Sequence, residues 1–245
     1  MDSTSVPLDN PLRKHFTPKT KLTIGIPESF LALDGMDADV RENFNATLET
    51  LKRAGYTIKN VELPSLHYAL SVYYVLMPAE VSANLARYDG IRYGLSKEAD
   101  SLMKVYTESR GEGFGKEVRR RVLLGTYVLS AGYYDAYYNK ANLVRRVITE
   151  EFAKAFADVD VIATPTTPSP AFKLGEKTSD PLKMYLEDIF TVPANIAGLP
   201  GISVTSGTVT RDGVALPVGI QFMAPQFAEG HLFVVGTSVE QGQKG

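Results

Sequence analysis

The sequence predicts an α/β protein, and three features of its order indicate this class. A strand–helix–strand pattern occupies residues 21–63. The middle third carries apolar residues at helical spacing, and two strand-like segments joined by a turn lie near the carboxyl terminus. The sequence shows no internal repeat and no low-complexity tract. Alternating strands and helices of this kind are typical of one sheet with packed helices.

The amino-terminal elements are predicted as follows. Residues 1–19 are rich in Pro, Ser and charge and should form an extended lead-in to the folded part, residues 20–245. Lys21–Pro27 is predicted to be a strand, and Tyr56–Leu63 a second one. The helix between them, Asp37–Ala54, has its apolar residues at helical spacing and ends at a glycine: Val40, Phe44, Leu48, Leu51 and Gly55.

The middle third is predicted to be helical in three stretches, Tyr68–Arg87, Lys97–Glu108 and Phe114–Phe156. Ala157–Ala163 has the composition of a buried strand that stops at Thr164-Pro165. A loop should follow, because each proline fixes φ and lacks a backbone donor; these are Pro165, Pro168 and Pro170.

The carboxyl-terminal part should begin with short helices around Leu182–Ile196. Strands at Gly201–Thr210 and Val214–Met223 are predicted to form a hairpin through the turn Arg211-Asp212-Gly213. A last helix is predicted over Phe227–Gln241.

Composition narrows the functional classes. With 44% apolar and 22% charged residues the chain is typical of globular proteins, and a net charge of −2 gives no general attraction to nucleic acid or membrane. The absence of cysteine excludes disulfides, thiolate nucleophiles and the usual structural zinc sites. No secretory signal and no apolar run of about 18 residues are present, so we expect a cytoplasmic protein without membrane contact.

Motifs for autonomous catalysis are weak. The three histidines (His15, His67, His231) lie in unrelated contexts and no G-x-S-x-G is present, so no catalytic triad is predicted. Ser101 and Lys104 form one S-x-x-K, which we interpret as a helix turn with the lysine in water because its companion motifs are missing. Gly111–Gly115 follows a helix rather than a strand, which is the wrong context for a phosphate loop. We predict no catalytic residue and no metal site.

Two segments, Gly113–Tyr138 and Asp188–Val204, resemble the substrate-facing half of the amidase-signature family. Leu216–Phe222 (LPVGIQF) matches this family in order and spacing, as do Asn84–Gly94 (NLARYDGIRYG) and the GYYDAYY run at Gly132–Tyr138. General aryl or fatty-acid amidases would lack the last two. The resemblance therefore implies a glutamine-hydrolysing member, with part of a fold in which helices cover both faces of a mixed sheet.

The Gly/Ser-rich stretch that carries this family's nucleophilic serine is missing from the sequence, as is the lysine that activates the serine. By resemblance, both would precede Met1, together with a bridging serine and the oxyanion loop. We therefore expect residues 20–245 to be the carboxyl-terminal portion of one amidase-signature domain, inactive alone. Strands near Val161, Ile202 and Ile220 should then have an unpaired edge.

The resemblance also implies four residues that would bind glutamine. Arg121 falls on the position that meets the substrate carboxylate, and Asp188 on the one that meets the ammonium. Tyr73 and Tyr74 are the next candidates to line the pocket. An arginine suits a carboxylate because its planar fork donates two parallel hydrogen bonds.

The pattern alone leaves other roles open for these residues. Arg121 could belong to a solvated basic face that pairs with acids such as Glu117, beside an apolar stripe of Val118, Val122 and Leu123. Asp188 could be a helix cap, and the two tyrosines could be buried aromatics of a helix packed on a sheet.

Partners and cofactors follow from the resemblance as well. The ammonia released from glutamine would serve the ATP-dependent conversion of Glu-tRNA(Gln) to Gln-tRNA(Gln) in a complex with B- and C-type subunits. ATP and Mg²⁺ would be used by one of these partners, and this chain would bind no cofactor. Two alternatives stay open: a non-catalytic scaffold that docks on partner subunits, and a fragment of another amidase.

Overall fold

The computed structural model describes residues 5–7, 9–10, 19–32, 35–176 and 181–242. The chain divides into two compact units, one of residues 1–70 with 146–245 and one of residues 71–145. The predicted lead-in over residues 1–19 lies largely outside the described residues. That residues 20–245 belong to a single domain stays a prediction.

The first unit is built on a five-stranded mixed sheet, which confirms the predicted α/β class. Strand order is β2-β1-β3-β5-β4. β1 pairs in parallel with β2 and β3, whereas β5 runs antiparallel to β3 and β4. The strands are β1 (Thr23–Ile26), β2 (Thr57–Asn60), β3 (Val161–Pro165), β4 (Gly201–Arg211) and β5 (Val214–Met223).

The expectation of open edges near Val161 and Ile220 is wrong. Val161 pairs with Ile24 of β1, and β3 continues on its other side to β5, where Pro165 lies opposite Ile220. β5 in turn pairs with β4. The backbone groups of both strands are therefore satisfied by partners within the chain. Ile202 lies in β4, which is an edge strand of the described sheet, as expected.

β3 begins later than predicted and includes a proline assigned to the loop. Asp160 precedes the strand: its backbone N–H donates to Thr23 O (2.8 Å), and its carboxylate accepts from the Thr23 N–H (2.8 Å). Pro165 ends the strand opposite Ile220, and the next donor, Thr166 N, reaches Gly219 O at 2.9 Å. Because hydrogen-bonded and non-bonded pairs alternate in an antiparallel ladder, Pro165 occupies a position that needs no donor toward β5.

Helices α2 (Ala38–Arg53) and α9 (Glu229–Gly242) pack on this sheet. The residues predicted to form the apolar face of α2 are buried, as their spacing required: Val40, Phe44, Leu48 and Leu51. The sequence pattern did not predict α1 (Glu28–Leu31), because a helix of four residues is too short to show periodicity. The predicted short helices are α7 (Pro181–Leu186) and α8 (Val192–Ala197).

The predicted β4–β5 hairpin is present and closes through Asp212-Gly213, whereas Arg211, predicted as part of the turn, is the last residue of β4. Both residues have positive φ (51° and 78°), which a two-residue hairpin turn of the favoured twist requires. A register shift interrupts β4 between Thr205 and Gly207, where φ of Gly207 is 142°. The Asn43 side chain fills this bulge and donates to Ser206 O at 3.1 Å.

Arg211 connects the hairpin to the start of α2. Its guanidinium donates to the carboxylates of Asp37 (2.7 Å) and Asp39 (2.9 Å). The hydrogen bond from Arg211, together with its charge, holds the pKa of Asp39 below its usual value and outweighs the opposing effect of burial.

The second unit is helical and is bounded by two helices that continue into the first, α3 (Ala69–Leu85) and α6 (Lys140–Ala155). Between them lie α4 (Leu102–Gly113) and α5 (Lys116–Val128). The predicted single helix over Phe114–Phe156 is therefore wrong. It is broken after Val128, with Gly132 at φ 87° and a π-helical turn over Tyr134–Asn139.

No helix among the described residues is long and apolar enough to cross a bilayer.

Close packing of α3 and α5 depends on one glycine. An ideal Cβ on Gly125 would lie 1.8 Å from the carbonyl oxygen of Pro78 and 2.8 Å from the Ser82 Cβ. No side chain can be accommodated there without displacing backbone, so the two helices approach each other only because residue 125 has no side chain.

We expect Gly125→Ala to destabilise the second unit by about 1 to 3 kcal/mol, the usual cost of overpacking. Hydrogen exchange of peptides from α3 and α5 in the full chain would measure the change. Gly111→Ala is the matched control, because no atom lies within 4 Å of its added Cβ. Equal protection in the two variants would contradict this account of the packing.

A second expectation concerns pH. Asp39 titrates at lower pH in the folded chain than in the unfolded one, so its pair with Arg211 stabilises the fold above the unfolded pKa of about 4 and is lost as pH falls. Urea unfolding should show Arg211→Gln less stable than the parent at pH 7, with the gap closing below about pH 4. Lys173→Gln, which breaks the exposed pair with Asp212, should have no measurable effect at either pH.

Candidate functional site

Three consecutive arginines of α5, Arg119–Arg121, point to different sides of the helix. Val118, Val122 and Gly125 lie on the half-buried or buried face of the helix, and Arg121 lies on that same face, whereas Arg119 and Arg120 are exposed. Leu123, predicted to continue the apolar stripe, is instead 71% exposed. Arg121 is therefore the arginine of the three that α5 turns toward its neighbours in the second unit.

Arg121 has two types of neighbour. Its Nε donates to Glu117 Oε1 at 2.9 Å, one helical turn earlier, and its Nη1 lies 3.4 Å from the Met77 sulfur on α3. Burial acts to lower the pKa of Arg121, but the hydrogen bond and charge of Glu117, with contributions from Tyr73 and Tyr74, outweigh it and raise that pKa. The side chain is 28% exposed, so the guanidinium stays charged and accessible.

Tyr73 and Tyr74 of α3 lie close enough to Arg121 to interact with its charge. Their rings contact each other edge to face, with centroids 5.2 Å apart. Both side chains are half-buried, whereas the alternative role required buried aromatics. The structure thus brings together three of the four residues predicted to bind glutamine.

The alternative predicted for Arg121 is also partly present. Glu117 accepts from Arg121 and from Arg120, so this carboxylate already neutralises part of the basic face. A guanidinium has five N–H donors in a planar fork, and the two contacts of Arg121 engage Nε and Nη1. Within the described part of the chain, Nη2 therefore keeps donors for a ligand carboxylate.

Asp188 belongs to the first unit, in the turn between α7 and α8, and is half-buried. The backbone N–H groups of Thr191 (3.1 Å) and Val192 (3.0 Å) both donate to its carbonyl oxygen. Thr191 occupies the N-cap of α8, so Asp188 is not the N-cap residue of this helix. Gly198 follows the last residue of α8 as its cap, and its φ of 67° ends the helix three residues before β4 begins at Gly201.

Two residues that the sequence pattern did not single out hold this turn. Phe190 is 3% exposed and packs edge to face on Phe30, with ring centroids 5.6 Å apart. The Gln221 amide donates to Phe190 O at 2.8 Å. A glutamine within the otherwise apolar run LPVGIQF was the available signal, since buried polar side chains are uncommon and need partners.

Ser101 and Lys104, interpreted from the sequence as a helix turn with the lysine in water, lie at the start of α4. Ser101 is the N-cap of α4, and its hydroxyl accepts from Lys104 N at 3.4 Å. The Lys104 ammonium pairs with Asp100 at 2.8 Å and is exposed. Among the described residues, no group of His, Cys, Asp and Glu could hold a metal ion.

The tyrosine cluster near the π-helical turn is exposed. The rings of Tyr127 and Tyr133 lie 4.2 Å apart, and those of Tyr133 and Tyr137 6.0 Å apart. A hydrogen bond with Tyr133 raises the pKa of Tyr127 to about 12. The Tyr127 hydroxyl therefore stays protonated at neutral pH and is engaged with Tyr133.

Known proteins resemble this chain over most of its length. Residues 1–233 match the model of the amidase family. The chain is 53% identical over 220 residues to the glutamyl-tRNA(Gln) amidotransferase A-type subunit of Parvibaculum lavamentivorans, covering 90% of this chain and 44% of that protein. It is 51% identical over 243 residues to the A-type subunit of Acidobacterium capsulatum, covering 99% of this chain and 50% of that protein.

Solved structures give the same fold. The crystal structure of the glutamyl-tRNA(Gln) amidotransferase A-type subunit from Thermotoga maritima aligns with a TM-score of 0.66 at 39% identity, over 90% of this chain and 42% of that one. The chain thus spans about half the length of the curated relatives it matches. The match of the family model over nearly the whole sequence shows that this chain belongs to the amidase family.

Proposed function

We propose that this chain provides the glutamine-binding part of a glutaminase of the glutamyl-tRNA(Gln) amidotransferase type. The observation that carries the proposal is the placement of Arg121 on the half-buried face of α5 beside Tyr73 and Tyr74. The 51% identity to the Acidobacterium capsulatum protein over nearly the whole chain supports the choice of substrate class.

Glutamine presents a carboxylate and an ammonium that must be bound together with its side-chain amide. The guanidinium of Arg121 would donate to the carboxylate, and the Asp188 carboxylate would accept from the ammonium. Tyr73 and Tyr74 would supply half-buried aromatic surface next to Arg121, which lowers the local dielectric and strengthens the charge-assisted hydrogen bond.

Hydrolysis needs an activated nucleophile and donors for the oxyanion, which we assign to a second polypeptide segment. The released ammonia would be consumed by B- and C-type partner subunits acting on Glu-tRNA(Gln). ATP and Mg²⁺ would be used by one of these partners, and this chain would bind no cofactor. The names of the relatives, which are amidotransferase subunits, support this assignment.

A scaffold function remains the second candidate, and one observation favours it. Of the 22 large apolar side chains exposed in the described residues, 14 belong to residues 71–145. Under this second candidate, the exposed apolar side chains of the second unit would contact a partner protein. If partner binding were the only role of this chain, substitutions on this surface would impair its function, whereas substitution of Arg121 would not.

The purified chain alone should release no ammonia from L-glutamine or simple amides above background, because no described residue can act as an activated acyl acceptor. An enzyme-coupled ammonia assay would measure this. Turnover that Ser101→Ala abolishes would contradict the prediction and make the Ser101/Lys104 pair catalytic.

The proposal itself is tested in an assembled enzyme. The chain would be co-produced with the half of the Acidobacterium capsulatum protein that it does not match, and glutaminase kinetics would be recorded. Loss of a charge-assisted hydrogen bond costs about 1.5 to 3 kcal/mol. Arg121→Ala should therefore reduce kcat/KM for glutamine about ten- to a hundredfold, and Asp188→Asn should act in the same direction.

Arg120→Ala is the matched control, because Arg120 also contacts Glu117 but lies on the exposed face of α5. It should leave glutamine kinetics unchanged. Parent-like kinetics in both Arg121→Ala and Asp188→Asn, with the assembled enzyme active, would refute glutamine binding by these residues and favour the scaffold.

A further inference from the structure

Gln221 is a buried polar residue in the middle of the sheet. It lies in β5 opposite Thr164 of β3 and Ser203 of β4, and it is 6% exposed. Its neighbours along the strand, Ile220 and Phe222, are fully buried. Successive side chains of a strand point to opposite faces, so Gln221 points to the other face from these two apolar residues.

Both amide hydrogens of Gln221 have acceptors. Nε2 donates to Phe190 O at 2.8 Å and to Thr164 Oγ1 at 3.1 Å. Thr164 is fully buried, and Phe190 is nearly so. The amide therefore joins the sheet to the chain segment that follows α7 through hydrogen bonds between buried groups.

The segment that Gln221 contacts is the one that carries Asp188. Phe190 follows Asp188 by two residues, and the Asp188 carbonyl accepts from Thr191 and Val192. Residues 188–192 thus form one hydrogen-bonded turn. The Gln221 amide and the ring contact of Phe190 with Phe30 anchor this turn on the first unit.

The chemistry at this position requires an amide. A carboxylate at residue 221 would face the carbonyl oxygen of Phe190 with no hydrogen to donate, and an apolar side chain would leave that carbonyl buried and unsatisfied. An asparagine is one methylene shorter and would withdraw its donors from Phe190 O.

We propose that Gln221 is a positioning residue for substrate binding, which fixes the Asp188 turn against the sheet through the carbonyl of Phe190. This inference rests on the proposed role of Asp188 in binding the glutamine ammonium. Gln221 acts through the turn and does not touch substrate. Its loss should therefore weaken the binding of glutamine more than it slows turnover.

The first measurement is hydrogen exchange of the full chain over residues 186–192. Gln221→Met, which keeps the side-chain volume, should speed exchange there about tenfold, the size expected for a lost buried hydrogen bond. Ser206→Ala is the control. It removes another buried hydrogen-bonding side chain, whose partners are Asn43 and Val218, and it should leave this turn protected.

The second measurement is glutaminase kinetics in the assembled enzyme. Gln221→Met should raise KM for glutamine about tenfold with kcat within about threefold of the parent, since the turn is loosened but the nucleophile is not altered. Thr164→Val, which keeps the bond to Phe190, should have a much smaller effect. If Gln221→Met does not fold, Gln221→Asn withdraws the same donor at lower cost.

The outcomes separate the two proposals. Exchange over residues 186–192 that matches the Ser206→Ala control would overturn the positioning role, whatever Asp188→Asn does. Faster exchange in Gln221→Met, together with unchanged glutamine kinetics in Asp188→Asn, would show that Gln221 stabilises the turn but would refute the function proposed for Asp188. A raised KM in both Gln221→Met and Asp188→Asn, with faster exchange, supports both.

Discussion

The pairing of β1 with β3 is the constraint on which the first unit depends. It joins Ile24 to Val161, and the whole of residues 71–145 lies between these two strands in the sequence. Closing so long a loop costs conformational entropy that only the buried sheet can offset. The Asp160 carboxylate, which accepts from Thr23 N and from Lys19, fixes the register at the start of both strands.

The sequence predicted the elements whose patterns are long or whose turns are specific. α2 shows four buried apolar residues at helical spacing, and the β4–β5 hairpin has an Asp-Gly turn with the required positive φ values. Prediction failed at α1 and after Val128. α1 has too few residues for a pattern, and the break after Val128 coincides with Gly132, a stop signal to which the sequence analysis gave too little weight.

The candidate site was predictable in part. Resemblance indicated Arg121, Tyr73 and Tyr74, and the structure brings these three together. Which arginine faces inward could not be derived from an apolar count, because Leu123 looked like core and is exposed. The phase is set by Gly125 against Pro78, a contact between residues 47 positions apart. Gln221 was visible in the sequence only as a polar residue within the apolar run LPVGIQF, and its partner, the backbone carbonyl of Phe190, could not be derived from the sequence.

The bulge in β4 has a consequence for how this protein associates with others. An edge strand of eleven residues would offer a long template for a foreign strand, which is how many aggregates begin. The register shift at Thr205/Gly207 interrupts the regular ladder of β4. The carbonyl of Ser206, which an added strand would use as an acceptor, already accepts a hydrogen bond from Asn43. A strand added from outside could extend over only about half of β4, so amyloid-like stacking is disfavoured while a short, specific strand can still be accepted.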